Sequence, residues 1–202
     1  MAIELVHISK HFDDHVVFEN LNIVFPEGEI SCLMGASGSG KTTLLQLLMG
    51  LEKPDAGEIK GMRGKKIAAV FQEDRLIEHF DAVRNIKLVC DKQITVQRIE
   101  KELKRVGIED YTNKTVSHFS GGMRRRVAIV RAILADNDVL FLDEPFKGLD
   151  EQLKYQVIDY VRQMTMGKTV ILVSHDKEEA QRLQARIILL PSKSYCSDPI
   201  RS

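Results

Sequence analysis

The chain has few cysteines and prolines, no net charge and no long apolar run, and each scarcity argues against a class of protein. Its three cysteines, Cys32, Cys90 and Cys196, are odd in number and lack metal-ligand spacing. They speak against a disulfide framework and read as buried or incidental thiols. No apolar stretch approaches the roughly 20 residues that a membrane-spanning helix needs. Met1–Lys10 lacks the basic-then-apolar plan of a signal peptide, so a cytoplasmic location is expected. Lys and Arg number 29, as do Asp and Glu, giving a formal charge of zero. General electrostatic attraction to nucleic acid is thereby disfavoured, and no nucleic-acid partner is expected beyond what a local basic patch could provide. No repeat, low-complexity segment or Pro-rich linker divides the 202 residues. That length suffices for one well-buried core, and one folding unit is expected.

What the chain does have begins at Gly35. The run Gly35-Ala36-Ser37-Gly38-Ser39-Gly40-Lys41-Thr42-Thr43 matches the phosphate-loop pattern G-x-x-x-x-G-K-[ST]. In that pattern successive backbone N–H groups wrap around phosphate oxygens, glycines permit the curl, and small residues keep Cβ atoms away from the anion. The apolar run Ile30–Met34 before it reads as a buried strand and Leu44–Met49 after it as a helix. The helix start would aim free N–H groups and the positive end of its dipole at the phosphates. Lys41 adds a full charge, and Thr42 offers a hydroxyl to Mg²⁺.

Short strand-like runs alternate with helical stretches along the chain, the pattern of an α/β domain with a largely parallel sheet. Strands are expected at Ile3–His7, Val16–Phe25, Ile30–Met34, Lys66–Phe71, Val139–Leu142, Thr169–Val173 and Ile187–Leu190. The first two flank Asp13-Asp14 and read as an antiparallel, edge-like pair. Between Gln72 and Ala135 the strand signal fades. Val96, Ile99, Leu103 and Val106 share one helical face, as do Val127, Val130 and Leu134, so residues of about 73–135 read as a helical lobe inserted into the sheet domain. Val139–Leu142 is apolar throughout and reads as a strand covered on both faces, with Asp143 and Glu144 emerging at its carboxyl end, where open α/β sheets place ligands. Asp143 is placed to hold Mg²⁺ through its water shell and Glu144 to polarise an attacking water. Such a pair by itself could equally be a helix cap with solvated charge.

Phe119-Ser120-Gly121-Gly122-Met123 precedes a helix expected to start near Met123, and is a second anion-binding arrangement. One chain cannot easily bring both loops to one nucleotide. This segment resembles the signature motif of the ATP-binding cassette (ABC) ATPases, and other motifs agree in order and spacing over nearly the whole chain. Gln72 resembles their Q-loop glutamine, Asp150 in Gly148-Leu149-Asp150 their D-loop aspartate, and His175 in Ser174-His175-Asp176 their switch histidine. Phe12 falls where the family places an aromatic ring on adenine, although a core phenylalanine is the simpler alternative.

The resemblance implies a P-loop NTPase fold with a mostly parallel core sheet, an N-terminal antiparallel β region and the helical insertion, forming one nucleotide-binding domain over residues 1–202 with a short tail from 191. It implies ATP and Mg²⁺ as ligands. Glu144, His175, Lys41 and Gln72 would be catalytic; Thr42, Gln72 and Asp143 would face the metal. It further implies a head-to-tail homodimer, in which Ser120, Gly121, Gly122 and Asp150 of one chain close over the ATP held by the other. Integral membrane permease subunits would dock at the surface from about Gln72 to Val89, with a solute-binding protein in the assembly, which places the chain peripherally on the inner face of the cell membrane.

The wording of Phe71–Leu76, Ala82–Ile86, Phe119–Arg126 and Asp143–Asp150 resembles importers of the nitrate, sulfonate and taurine group. Met123, where many members have glutamine, and Lys147-Gly148, where a small pair is usual, are departures. Arg124, Arg125 and Arg126 read as a solvated or dimer-facing surface. The alternatives are an ATPase of an exporter or envelope-remodelling complex, and a non-transport ABC ATPase acting on DNA or ribosomes. The latter is disfavoured because residues 44–118 are too few for a long coiled-coil insertion and show no sustained heptads.

Overall fold

The computed structural model describes residues 1–13, 15–109, 111 and 114–191. The first two strands, β1 (Ile3–Phe12) and β2 (His15–Phe25), pair antiparallel, and β1 also pairs antiparallel with β4 (Ala56–Lys60). The second sheet is wholly parallel, in the order β5-β6-β7-β3-β8, and is built from β3 (Ile30–Met34), β5 (Ile67–Val70), β6 (Val139–Asp143), β7 (Thr169–Val173) and β8 (Arg186–Leu189). The α-helices among the described residues are α1 (Lys41–Leu48), α2 (Ala82–Lys87), α3 (Val96–Arg105), α4 (Gly121–Leu134), α5 (Glu151–Met164) and α6 (Lys177–Arg182), and a short 3-10 turn spans Val116–His118.

The parallel strands are apolar throughout because both faces are covered, and their side chains alternate between two cores. Cys32, Met34, Leu140, Leu142, Val170 and Leu172 point to one side, where they meet Val127 and Val130 of α4 and Val157 and Val161 of α5. Leu33, Val139, Phe141, Ile171 and Val173 point to the other, against Leu44, Leu45 and Leu48 of α1 and then Ile3, Leu5, Ile8 and Phe25 of the antiparallel sheet. Helix α1 is thus enclosed between two sheets. Each such fully buried side chain contributes about 1.5–3 kcal/mol of transfer free energy, so the loop at its N-terminus is anchored by a heavily buried support.

The sheets depart from expectation in two ways. The β1–β2 pair is antiparallel with β2 at the edge of its sheet, as expected, but β1 is also flanked by β4. Strand β1 continues past His7 to Phe12, because the inward positions run Ile3, Leu5 and then Ile8. That break in alternation is absorbed by a register shift between Leu5 and Ile8, with His7 at φ +52°. Strand β4 has one sizeable apolar residue, Ile59, and no readable alternation. It is held by β1 so closely that a Cβ on Gly57, at φ +89°, would stand 2.4 Å from the His7 carbonyl oxygen, a place that admits only glycine.

Helix α1 begins at Lys41 and α4 at Gly121, each a little earlier than expected from the apolar pattern. The helical faces read from Val96–Val106 and Val127–Leu134 belong to α3 and α4, which pack on each other and on α2. Asp14 of the expected turn and the tail beyond Pro191 lie outside the described residues.

Candidate active site

Strands β3, β5, β6 and β7 run in one direction, so their carboxyl ends bring four connections to the same end of the sheet. From β3 comes the loop Gly35–Gly40, which enters α1 through Gly40 at φ +90°. A Cβ there would lie 2.7 Å from Val17 and Phe18 side-chain atoms, so the loop needs glycine both for backbone conformation and for space. Helix α1 has no side-chain N-cap, whereas α2, α3, α4, α5 and α6 are capped by Asp81, Thr95, Ser120, Asp150 and Asp176. Its first-turn N–H groups are left to whatever occupies the loop.

Lys41 is largely buried and its ammonium donates to the carbonyl oxygens of Gly35 and Ala36, both at 2.9 Å. Burial lowers its pKa, while the charges of Glu144 and Asp143 oppose that shift. At the end of β6, Asp143 is almost wholly buried. Its Oδ2 accepts from the Thr42 hydroxyl at 3.4 Å, and its Oδ1 is buried with no hydrogen-bond partner. Burial and then the neighbouring charge of Glu144 raise its pKa; hydrogen bonds from Gln72 and Thr42 pull the other way.

An unpartnered buried carboxylate oxygen beside a hydroxyl and a side-chain amide is a set of hard oxygen donors that suits Mg²⁺. Thr42, Asp143 and Gln72 fit that ion, and when bound it would supply positive charge to phosphate oxygens. Among the described residues there is no cluster of three His, Cys, Asp or Glu, so a metal cage built from the chain alone is not on offer.

The cost of Asp143 gives a test. A carboxyl whose folded pKa is raised destabilises the fold above its ordinary pKa, the more so as pH rises through the folded value. Asp143→Asn should therefore stabilise the ligand-free protein at neutral pH by about 1 kcal/mol, or about 2–4 °C for a domain of this size. It should also abolish the extra melting shift that Mg²⁺ adds to ATP. A ligand-free melting temperature below the parent's would show that Asp143 is a structural partner rather than a reserved ligand.

Glu144 follows in a left-handed conformation, φ +47°, its N–H donating to the Val173 carbonyl at 3.0 Å. For a residue that carries a Cβ this backbone is strained, and it places the carboxylate beside His175 at the sheet end. Its Oε1 lies 3.1 Å from His175 Nε2, and its Oε2 accepts from Lys147 at 2.8 Å. Lys147, followed by the charges of His175 and Lys41, holds the Glu144 carboxyl below its ordinary range. The contact with Lys147 escapes a motif reading, although its separation of three positions along the loop is compatible with it.

A groove of about 360 Å³ gathers Ser37, Gly38, Gly40, Lys41, Thr42, Thr43, Gln72, Glu144 and His175 with Phe12. Phe12 is 42% exposed, which removes the core alternative, and its ring carries the Lys10 ammonium 4.7 Å from its centroid. His15, Val17 and Val173 also line the groove and were not expected there. Ser120, Gly121, Gly122 and Asp150 do not line it. They occupy a separate place, where Ser120 caps α4 by accepting from the Met123 N–H at 3.2 Å and a Cβ on Gly122 would touch Leu149. The capping bond uses a lone pair of the Ser120 oxygen, leaving its O–H proton to donate elsewhere.

Residues 18–147 match the model of the family described as ABC transporter. The chain belongs to the ABC transporter family. This ABC cassette is 33% identical over 204 residues to the spermidine/putrescine import ATP-binding protein of Mycoplasma capricolum, covering 93% of the chain and 58% of that protein. It is 34% identical to the sulfate/thiosulfate import ATP-binding protein of Synechocystis, covering 94% of the chain and 58% of the relative. With an aliphatic sulfonates import ATP-binding protein of Rhodococcus jostii it shares 35% over 98% of the chain and 74% of the relative. The cassette thus spans only 58% of the length of the first two. Among solved structures it resembles the dimeric bacterial ABC transporter cassette MJ0796, at 29% identity and a TM-score of 0.81 over 93% of this chain and 94% of that one. A post-hydrolysis form of that cassette, bound to ADP and phosphate, gives a TM-score of 0.80 at 28% identity over the same shares of both chains.

The arginines of the cassette's signature helix overturn one expectation. Arg125 and Arg126 are buried, at 9% and 6% exposure, rather than solvated. Arg126 donates to the carbonyl oxygens of Val106 and Gly107, both at 2.8 Å, and Arg125 to those of Phe71 and Gln72. A guanidinium can satisfy several carbonyls at once, so a run of arginines on a helix is as well suited to fastening loops as to meeting solvent.

Proposed function

We propose that this chain is the ATP-binding and ATP-hydrolysing subunit of an ABC importer, working as a head-to-tail homodimer beneath integral membrane permease subunits. One observation carries the reading. The phosphate loop, Gln72, Glu144 and His175 converge on one groove, with Asp143 behind it bonded to Thr42, while the capped N-terminus of α4, suited to a second anion contact, stands apart from it. Two half-sites on one molecule are completed by a second copy turned to face the first.

In this reading the loop N–H groups and Lys41 bind the β- and γ-phosphates, Phe12 supports the base, and Thr42, Asp143 and Gln72 face Mg²⁺. Glu144 takes a proton from the attacking water, and His175 holds the Glu144 carboxylate in place. Ser120 donates its hydroxyl to the γ-phosphate of the opposite chain, with Gly121 and Gly122 presenting bare backbone and Asp150 beside them. The whole chain acts as one nucleotide-binding domain, residues of about 73–135 forming its helical lobe and about 191–202 a short tail. Closure would follow ATP binding, and opening would follow loss of the shared charge.

Relatives named for polyamines and for sulfate or sulfonates are each about one third identical to this chain over the aligned stretch, although those solutes carry opposite charge. The cassette therefore carries no code for the solute, which would be selected by permease and solute-binding partners. Among the described residues no helix is long and apolar enough to cross a membrane. Attachment at the inner face of the membrane through permeases, by the surface from about Gln72 to Val89, is the arrangement this reading requires. Detergent extraction and affinity purification of the chain should bring down integral membrane subunits, together with a solute-binding protein. Recovery of ribosomes or DNA in their place would overturn the transport reading.

A further inference from the structure

Arg125 sits in the second turn of α4, and its side chain is only 10% exposed. Its Nη1 donates to the carbonyl oxygen of Phe71 and its Nη2 to that of Gln72. Its Nε lies 3.2 Å from Asp74 Oδ1, an ion pair that lacks the alignment of a hydrogen bond. Farther along the same helix, Arg131 donates to the Asp74 carbonyl at 3.0 Å and the Arg75 carbonyl at 2.8 Å. The connection that leaves β5 therefore has four carbonyls in succession, Phe71 to Arg75 with only Glu73 passed over, held by two side chains of a single helix.

The simplest account is a staple for a loop that has no ladder to satisfy its backbone. Two further facts give it a direction. The carbonyls held by Arg125 are those of Gln72 and its predecessor, and the Gln72 side chain lines the groove beside Thr42, which bonds Asp143. The helix that holds them is the one capped by Ser120.

We infer that Arg125 is a positioning residue: its guanidinium fixes the backbone from which Gln72 reaches the metal side of the groove, and ties Gln72 to the N-terminus of α4. A shift of that N-terminus is then felt at Gln72 without passing through the core. This inference rests on the nucleotide-binding reading above. Lysine cannot replace the planar fork, since a single ammonium meets the two carbonyls without fixing their plane.

The test uses binding of a fluorescent ATP analogue to the full chain, titrated with Mg²⁺. Partners that orient a metal ligand are typically worth 10–100-fold in metal affinity, so Arg125→Gln should raise the Mg²⁺ concentration at half-effect about tenfold. Binding without Mg²⁺ should stay within about twofold of the parent, because the phosphate loop is untouched. Arg125→Lys should fall between the two, and serves the same comparison if Arg125→Gln fails to fold. In a Gln72→Ala background, Arg125→Gln should add less than about twofold, since two residues acting through one contact are not additive. A parent-like Mg²⁺ response of the Arg125 variants, or effects that multiply in the double variant, would overturn the inference alone. A parent chain whose ATP binding ignores Mg²⁺ would overturn the nucleotide reading and this inference with it.

Discussion

Glu144→Gln is expected to lower ATP turnover by about 10²–10⁴, the usual worth of a positioned general base, while ATP binding persists and a closed dimer accumulates in the presence of ATP. The structure explains why the substitution should be clean. Glutamine keeps the shape of the side chain and the strained backbone position at φ +47°. It can still hydrogen-bond His175, which lies 3.1 Å from Oε1. The partner that loses its anion is Lys147, whose side chain is already 72% exposed and can move into water at little cost. Size-exclusion chromatography with and without ATP would report the dimer, and phosphate release the turnover. Turnover close to the parent's would show that a different group activates water.

The second large effect concerns which molecule completes the site. A chain carrying Lys41→Ala and a chain carrying Ser120→Arg should each be almost inactive alone, the first for want of phosphate binding and the second because an arginine blocks the cap of α4. Mixed, they form heterodimers in which one site joins an intact loop, from the Ser120→Arg chain, to an intact cap, from the Lys41→Ala chain. Activity per mixed dimer should return to a sizeable part of the parent's and rise at least about tenfold above either variant, equivalent to about 1.4 kcal/mol in transition-state stabilisation. Activity that never exceeds that of the single variants would remove the shared site. On the proposed reading the two meet only across a pair of copies, because Ser120 and the groove are separate places on one chain.

These residues also mark how far the sequence can be read unaided. The phosphate loop and the Asp143-Glu144 pair were legible because each is a local pattern set against a fully apolar strand, so motif and burial point to the same place. Strands β3 and β7 were legible for the same reason. Strand β4 was not, since an edge strand with one sizeable apolar residue leaves no alternation to detect. Arg125 and Arg126 were misjudged because charge was weighed along the helix alone. The groups that bury them are carbonyls presented by loops distant in sequence, at Phe71, Gln72, Val106 and Gly107. Lys147 is an unusual residue for its place in the sequence, but its hold on Glu144 depends on how the loop after β6 curls back, which no residue pattern states.

The phosphate loop supplies its own lysine with partners. Lys41, buried beneath it, spends its protons on the carbonyl oxygens of Gly35 and Ala36 at 2.9 Å each. An arriving phosphate must therefore compete with an internal rival that is always present and never diffuses away. Binding is an exchange of partners, not the capture of an idle charge, so the net gain is far smaller than the contact itself would suggest. On the proposed reading the same rivalry would work in reverse after hydrolysis: as phosphate left, the lysine could return to its own loop and no bare buried cation would be left behind. A loop that solvates its own lysine lowers the cost of parting from a bound phosphate, which would suit a protein that must cycle.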